Sequence, residues 1–329
     1  MSASAPHFDI LGIGNAIVDV VAPVPDSFIT HHDMRKGGMA LVDTATADRL
    51  YAAMPPGQES SGGSAANTCA VAAMLGAKVA YIGRVADDQL GQVFRHDIAA
   101  VGVHFPTAAL TGGAPTARCL IMVTPDGQRT MNTYLGACVT LGPADVDANL
   151  VADAKITYLE GYLFDPPEAQ AAFLAAAEAA HDAGRQVALS LSDAFCVDRH
   201  RAAFRELVRY HVDILFANET EITSLYETNT WDEAAALARS EVSLAALTRG
   251  EAGSVILHGA DTVEIDAEPA QVIDTTGAGD AYAAGFLAAL TAGKSLAQCG
   301  KLASIAAADV IGQYGGRPRT DLSGALTLL

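Results

Sequence analysis

The chain is poor in basic residues. It has 20 Lys and Arg against 38 Asp and Glu, which gives a net charge of −18 over 329 residues. A surface this negative repels nucleic-acid backbones and anionic lipid, so we expect neither a nucleic acid nor a membrane as partner. A small anionic ligand remains compatible with this charge. Salt screens charges beyond ~8 Å, so a local positive field can hold a phosphate despite the negative surface.

The sequence also lacks export signals and disulfide signals. The first Lys or Arg is Arg35, and no apolar core follows Met1, so we expect no signal peptide. The longest apolar stretches, such as residues 281–292, are too short to span a bilayer. The five cysteines are odd in number and have no CxxC or Cys/His ligand spacing. We therefore expect a reduced, cytoplasmic protein without a zinc site.

Hydrophobic residues make up 50% of the chain, enough for a large core. From about residue 155, apolar runs alternate with helical stretches, which predicts an α/β fold whose mainly parallel sheet has helices on both faces. A β-like run is also expected at residues 271–274. Residues 103–136 instead carry short β-like runs around a Pro-Asp-Gly turn, which predicts a smaller, antiparallel sheet.

One glycine pattern is misleading. Gly12 and Gly14 begin like a dinucleotide fingerprint, but Ile17 stands where the third glycine belongs. The residues that follow predict more strand, and without a helix N-terminus the pyrophosphate would have no donors. A nicotinamide enzyme is therefore disfavoured.

The strongest functional segment is residues 274–280, DTTGAGD, before an Ala-rich helix. Glycines allow close backbone approach, and the first N–H groups of a helix have no intrahelical partner, so the segment predicts an anion hole for phosphate. Asp280 beside it could accept a proton from a substrate hydroxyl. The alternative is an Asp that caps the helix after an ordinary turn.

Residues 62–68, GGSAANT, form a second glycine-rich helix start. Asn67 offers both a donor and an acceptor, which suits a polyhydroxylated substrate. The alternative is that Ser64 simply caps the helix.

Two further candidates follow predicted strands. Residues 218–221, NETE, could organise Mg²⁺ through water, or could be an acidic first helical turn. Residues 248–253, TRGEAG, offer a hydroxyl and a cation to ATP phosphates.

Together these motifs, in this order, resemble the ribokinase (PfkB) family of carbohydrate and nucleoside kinases, over about residues 8–318. The resemblance implies a single domain over residues 1–329, with a three-layer α/β/α ribokinase-like core. It implies a small β-sheet lid, built from about residues 14–45 and 103–136. It also implies transfer of the ATP γ-phosphate to a primary hydroxyl, by a monomer or homodimer.

The resemblance assigns a role to each matching residue. It makes Asp280 the catalytic base, with an anion hole formed by the amides of Gly277, Ala278 and Gly279. The acceptor would be bound by Asn15, Asp19, Gly63 and Asn67. ATP would be bound by Asn218, Thr248, Arg249, Gly250, Gly253 and Ser304. Glu221 would serve Mg²⁺ through water, and a monovalent cation such as K⁺ would be held by Asp274 and Thr276.

The acceptor is less clear from the sequence. Ribokinases and 1-phosphofructokinases tend to have Lys where this chain has Ser64. Residues 119–138 look like bacterial proteins of the adenosine-kinase type, in which Arg129 would lie in the lid and close on the substrate. We therefore expect adenosine as acceptor and AMP as product. Fructose, ribose or 2-keto-3-deoxygluconate remain alternatives, as does a non-catalytic sensor on the same fold.

Overall fold

The computed structural model describes residues 5–327. The strands are β1 (Phe8–Ile13), β2 (Ile17–Pro23), β3 (Met39–Leu41), β4 (Gln58–Gly62), β5 (Val79–Ile82), β6 (Val103–His104), β7 (Ala117–Val123), β8 (Arg129–Tyr134), β9 (Ala154–Glu160), β10 (Gln186–Ser190), β11 (Ile214–Asn218), β12 (Leu244–Thr248), β13 (Ser254–His258) and β14 (Asp261–Ile265). The helices are α1 (Asp26–His31), α2 (Thr44–Ala53), α3 (Ser64–Met74), α4 (Gln89–Ala100), α5 (Ala148–Ala152), α6 (Pro167–Asp182), α7 (Ala194–His211), α8 (Glu219–Tyr226), α9 (Trp231–Glu241), α10 (Ala278–Thr291) and α11 (Leu296–Ile311).

Nine strands form the large sheet, in the order β14-β13-β12-β11-β10-β9-β1-β5-β6. The seven strands from β12 to β6 are parallel, and β13 and β14 add an antiparallel edge. Successive strand residues point to opposite faces, so Ile10 joins one core cluster and Leu11 the other. Helices α3, α4, α10 and α11 cover one face, and α5 to α9 cover the other. The predicted three-layer α/β/α architecture is confirmed.

Five strands form the small sheet, in the order β3-β8-β7-β2-β4. The sequence predicted an antiparallel sheet, and the β7–β8 hairpin is antiparallel. The sheet as a whole is mixed, because β7 pairs with β2 and β8 pairs with β3 in parallel. Strand β4 lies outside the two expected lid segments. Strand β6 lies inside the second segment but pairs with β5 of the large sheet.

The prediction of a strand at residues 271–274 is wrong. These residues form no strand, and Val272 and Ile273 are 61% and 45% exposed. The amide of Ile273 donates to the Ile311 carbonyl oxygen (2.8 Å) at the end of α11. The apolar pair resembled a strand locally, but no strand of the sheet lies beside it. The antiparallel edge is formed instead by β14, which is polar and was not predicted.

Among the described residues, no helix is long and apolar enough to cross a membrane.

Candidate active site

A cavity of about 830 Å³ lies between the carboxyl ends of the parallel strands and the small sheet. In an open α/β sheet this is the end at which ligands bind. Twelve of the candidate site residues line it: Asn15, Asp19, Gly63, Asn67, Asn218, Glu221, Thr248, Thr276, Gly277, Ala278, Gly279 and Asp280. Six do not: Arg129, Arg249, Gly250, Gly253, Asp274 and Ser304.

The glycine turn before α10 has the conformation that an anion hole needs. Gly277 is the N-cap residue with φ 77°, and a Cβ there would lie 2.6 Å from the Gly316 Cα, so only glycine fits. The first-turn amides of Gly279 and Asp280 have no acceptor within the helix. The amide of Ala278 already donates to the Thr275 carbonyl oxygen (3.2 Å).

The candidate base, Asp280, lies in the first turn of α10 and does not cap that helix. Its Oδ1 accepts a hydrogen bond from the Ser64 hydroxyl (2.6 Å). Burial raises the pKa of Asp280 to about 6, and hydrogen bonds from Ser64 and Asn67 oppose this rise. The capping alternatives for Asp280 and for Ser64 are both wrong, because these two side chains bond to each other across the cavity floor.

The helix start at residues 62–68 is capped by backbone geometry. Gly63 is the N-cap of α3 with φ 97°, and no side chain caps the helix. A Cβ on Gly63 would lie 2.1 Å from the Asn15 carbonyl oxygen, so glycine is needed for the close approach of α3 to the chain before β2.

Asp19 extends into the cavity from the middle of β2, between Ser60 of β4 and Cys119 of β7. Burial raises the pKa of this carboxyl to about 6, and the positive charges of Arg317 and Arg129 oppose the rise. A buried carboxylate in a ligand cavity can accept hydrogen bonds from substrate hydroxyls.

Glu160 was not predicted as a site residue. It is 1% exposed at the end of β9, and it accepts hydrogen bonds from the Asn15 side chain (2.7 Å) and the Ala65 amide (2.7 Å). Burial raises its pKa to about 7, against these same hydrogen bonds. Glu160 thus holds the Asn15 loop and the start of α3 together. The strand-end rule that singled out Asn218 would also have found it, since Glu160 follows the apolar run of β9.

Asn218 and Glu221 form a reciprocal capping box at the start of α8. The Asn218 side chain accepts from the Glu221 amide (2.9 Å), and Glu221 accepts from the Asn218 amide (3.0 Å) and side chain (2.6 Å). Burial raises the pKa of Glu221 to about 7, and the charges of Asp193 and Asp280 add to this rise. The pair therefore stabilises the first turn of α8, as the alternative of an acidic first helical turn predicted. Both residues also line the cavity.

Arg129 and Asp274 are joined in an ion pair between the small sheet and the anion-hole turn. Asp274 Oδ1 also accepts from the Thr276 amide (3.0 Å) and hydroxyl (2.7 Å), and its Oδ2 accepts from the Gly315 amide (3.3 Å). Both carboxylate oxygens are therefore engaged in the described arrangement.

The remaining nucleotide candidates lie away from the cavity. The Arg249 guanidinium lies over the Trp231 ring, 4.8 Å from its centroid. Ser304 accepts from the Glu268 amide (3.3 Å) and donates to the Asp266 carbonyl oxygen (3.1 Å), which ties the loop after β14 to α11.

The wall that the small sheet contributes to the cavity is mostly apolar. The side chains on it are Ile17, Met39, Leu41, Cys119, Ile121, Met131 and Thr133, followed by Leu135. Met39 and Leu41 are 60% and 61% exposed, which is unusual for large apolar side chains on a concave surface unless a ligand covers them. The polar side chains of the cavity are Asp19, which lies on the same sheet, and Ser64 and Asp280 at the starts of α3 and α10.

Comparison with known families identifies the family of this chain. The family described as "pfkB family carbohydrate kinase" matches residues 42–321. The chain belongs to the pfkB family. It is therefore a kinase, as the motifs predicted.

Solved structures agree along nearly the whole chain. A structure described as adenosine kinase from Sinorhizobium meliloti is 53% identical, with a TM-score of 0.89 over 98% of this chain and 99% of that one. A structure described as a probable sugar kinase from Rhizobium etli is 51% identical, with a TM-score of 0.89 over 98% of both chains. Adenosine kinase 2 of Arabidopsis thaliana is 27% identical over 95% of this chain and 97% of its own length.

Proposed function

We propose that this kinase transfers the γ-phosphoryl group of ATP to the 5′-hydroxyl of adenosine, releasing AMP and ADP. The naming of a 53% identical relative as an adenosine kinase supports the acceptor. The apolar wall of the cavity carries the proposal within this chain.

The apolar wall distinguishes a nucleoside from a free sugar. A purine base would cover Met39, Leu41 and Met131, and each buried apolar side chain contributes about 1.5–3 kcal/mol. A hexose or pentose has hydroxyls on all sides, and those against this wall would lose hydrogen bonds to water without gaining others. The ribose part of a nucleoside would instead meet the polar side chains of Asp19, Ser64 and Asp280.

Asp280 is proposed to act as general base. Its pKa of about 6 leaves it ionised at neutral pH but far too weak to ionise a sugar alcohol in advance. The 5′-oxygen therefore attacks the γ-phosphorus while its proton passes to an Asp280 oxygen, and the bond from γ-phosphorus to the leaving ADP oxygen breaks. The amides at the start of α10 would stabilise the charge on the transferring group.

Mg²⁺ is proposed to accompany ATP. Among residues 5–327 no cluster of three or more His, Cys, Asp or Glu is arranged to hold a metal ion. Glu221 lines the cavity with both its oxygens engaged by Asn218, so a water-mediated contact suits this residue better than direct ligation. When bound, the ion would neutralise charge on the phosphates.

The monovalent cation and the closing of Arg129 on substrate are linked proposals. Asp274 cannot ligate K⁺ while its carboxylate is paired with the Arg129 guanidinium. The site at Asp274 and Thr276 therefore does not fit a cation as long as this ion pair is formed. We propose K⁺ binding at Asp274 and Thr276 only for a state in which Arg129 has left Asp274 and closed on the bound substrate. The small sheet would act as the lid in that movement.

Two further proposals concern the setting. The five cysteines are unpaired and buried, which supports a reduced cytoplasmic location. The protein would act as a monomer or a homodimer.

The deciding experiment measures ADP release with Mg-ATP and single acceptors: adenosine, ribose, fructose and 2-keto-3-deoxygluconate. Adenosine should give the highest kcat/KM, with AMP as product. A higher kcat/KM for a sugar would overturn the acceptor, and no acceptor-dependent ADP would favour a sensor. Asp280→Asn should lower kcat by ~10²-fold or more. Near-normal turnover in this variant would remove Asp280 as base.

A further inference from the structure

The chain after α11 returns to the back of the candidate active site. A Cβ on Gly316 would lie 2.7 Å from Asn67 Nδ2, and Gly316 also packs against Gly277 of the anion-hole turn. The next residue, Arg317, was not singled out from the sequence.

Arg317 makes three hydrogen bonds to three separate elements. Its Nε donates to Asn67 Oδ1 on α3 (2.9 Å), and its Nη2 donates to the Ser61 hydroxyl on β4 (2.9 Å). Its Nη1 donates to Asp97 Oδ2 on α4 (3.2 Å). Asp97 in turn accepts from the Ser61 amide (2.8 Å), so the planar guanidinium is held in one orientation. Its side chain is 17% exposed and does not line the cavity.

This contact determines which way the Asn67 amide points. A guanidinium only donates, so the atom of Asn67 that faces it must be the oxygen. The NH₂ group is then left for the cavity, which Asn67 and Asp280 both line, and the interaction with Asn67 lowers the pKa of the Asp280 carboxyl. A rotated amide would place its oxygen against the Asp280 carboxylate, two acceptors facing each other. The bond from Arg317 Nε fixes the Asn67 oxygen in place (2.9 Å), and without the guanidinium only the repulsion from Asp280 would oppose the rotation.

We propose that Arg317 is a positioning residue that holds the Asn67 amide with its N–H groups toward the Asp280 carboxylate. This rests on the proposed role of Asp280 as base, and it goes beyond that role by naming what orients it. Arg317 also lowers the pKa of Asp280 and of Asp19 through its positive charge, which acts in the same direction.

The test compares Arg317→Met and Arg317→Lys with Arg319→Met, a matched control on an exposed arginine two residues away. Arg317→Met should lower kcat ~10- to 100-fold, on the scale of one or two lost hydrogen bonds to a charged group, with the KM for ATP unchanged. The acid limb of its kcat profile should move to higher pH. Arg317→Lys keeps the positive charge but loses the planar guanidinium with its several N–H donors. This variant should therefore have the pH profile of the wild type but not its kcat. Arg319→Met should match the wild type.

A double-mutant cycle separates positioning from a general structural role. In an Asn67→Ala background, adding Arg317→Met should lower kcat by a further factor of less than ~3, because the side chain through which Arg317 acts is already gone. Additive losses, or a normal kcat for Arg317→Met alone, would overturn the proposal. If the Met variant does not fold, Arg317→Lys enters the same cycle with the same criterion. The wild type is assayed first with the acceptor panel. If another acceptor is preferred, the cycle is run with that acceptor, so a wrong substrate and a wrong role for Arg317 give different results.

Discussion

The guanidinium of Arg129 and the carboxylate of Asp274 form an ion pair that joins the small sheet to the turn before Asp280. The two side chains are 9% and 10% exposed. The two residues are 145 positions apart in sequence, and each was expected to bind a different ligand. Their pairing links the position of the hairpin β7–β8 to that of the anion-hole turn.

Arg129→Met should raise the KM for adenosine about 10-fold, because Arg129 is proposed to close on the bound substrate. It should also lower Tm by several degrees, because removing one partner of a buried ion pair leaves the other charge uncompensated. Steady-state kinetics and thermal unfolding measure both effects. Lys36→Met is the control. Lys36 pairs with Asp126 at the exposed end of the same hairpin (2.6 Å), and exposed pairs contribute about 0–1 kcal/mol. Equal effects of the two variants would argue against the coupling.

Activity should be lost as pH falls through about 6. Asp280 must be ionised to accept a proton, and its pKa is about 6. Asp19 also has a pKa of about 6, and the two carboxylates interact, so the acid limb reports their joint titration. A profile of kcat at saturating substrate from pH 5 to 9 measures this. A limb near pH 4 would show that Asp280 titrates as an ordinary exposed carboxyl.

Two substitutions should move that limb in opposite directions. Ser64→Ala removes a hydrogen bond that lowers the Asp280 pKa, so the limb should move to higher pH. Asp19→Asn removes a negative charge that raises the same pKa, so the limb should move to lower pH. The pH profile of kcat for each variant gives the sign. Shifts in the same direction would contradict the arrangement.

Glu160→Gln should flatten the dependence of stability on pH between about 5 and 7. The folded-state pKa of Glu160 is raised from 4.5 to about 7, so the folded protein binds more protons than the unfolded chain in this window. Its contribution to stability is therefore present at the acid end and lost as pH rises toward 7. Thermal unfolding of both proteins across this range measures the difference, in which the titration of other groups cancels. Parallel curves would show that Glu160 does not titrate there.

Met131→Ala should raise the KM for adenosine ~10-fold with little change in the KM for ATP, because part of the apolar wall is lost. Weak turnover of ribose, which has no base to cover that wall, should be unaffected. Kinetics with both acceptors measure this. An unchanged KM for adenosine would mean that the base binds elsewhere.

Much of the fold and part of the site were predictable from local patterns. The alternation of apolar runs and helical stretches after residue 155 predicted the parallel sheet and both helix layers. The glycine turn at residues 274–280 predicted the start of α10, because positive φ at Gly277 is a property that glycine supplies locally. Periodicity failed where tertiary partners decide, as at residues 271–274, which look like a strand but lack a neighbour to pair with.

The sequence by itself determined the elements and the residue types at the cavity, because periodicity, capping and turn conformation depend on neighbours along the chain. Only the tertiary structure decided which side chains act on one another. Ser64 and Asp280 meet across 216 positions, and Arg317 reaches Asn67 across 250. Such contacts depend on the order of strands and the docking of α3, α10 and the last segment, about which no local pattern carries information.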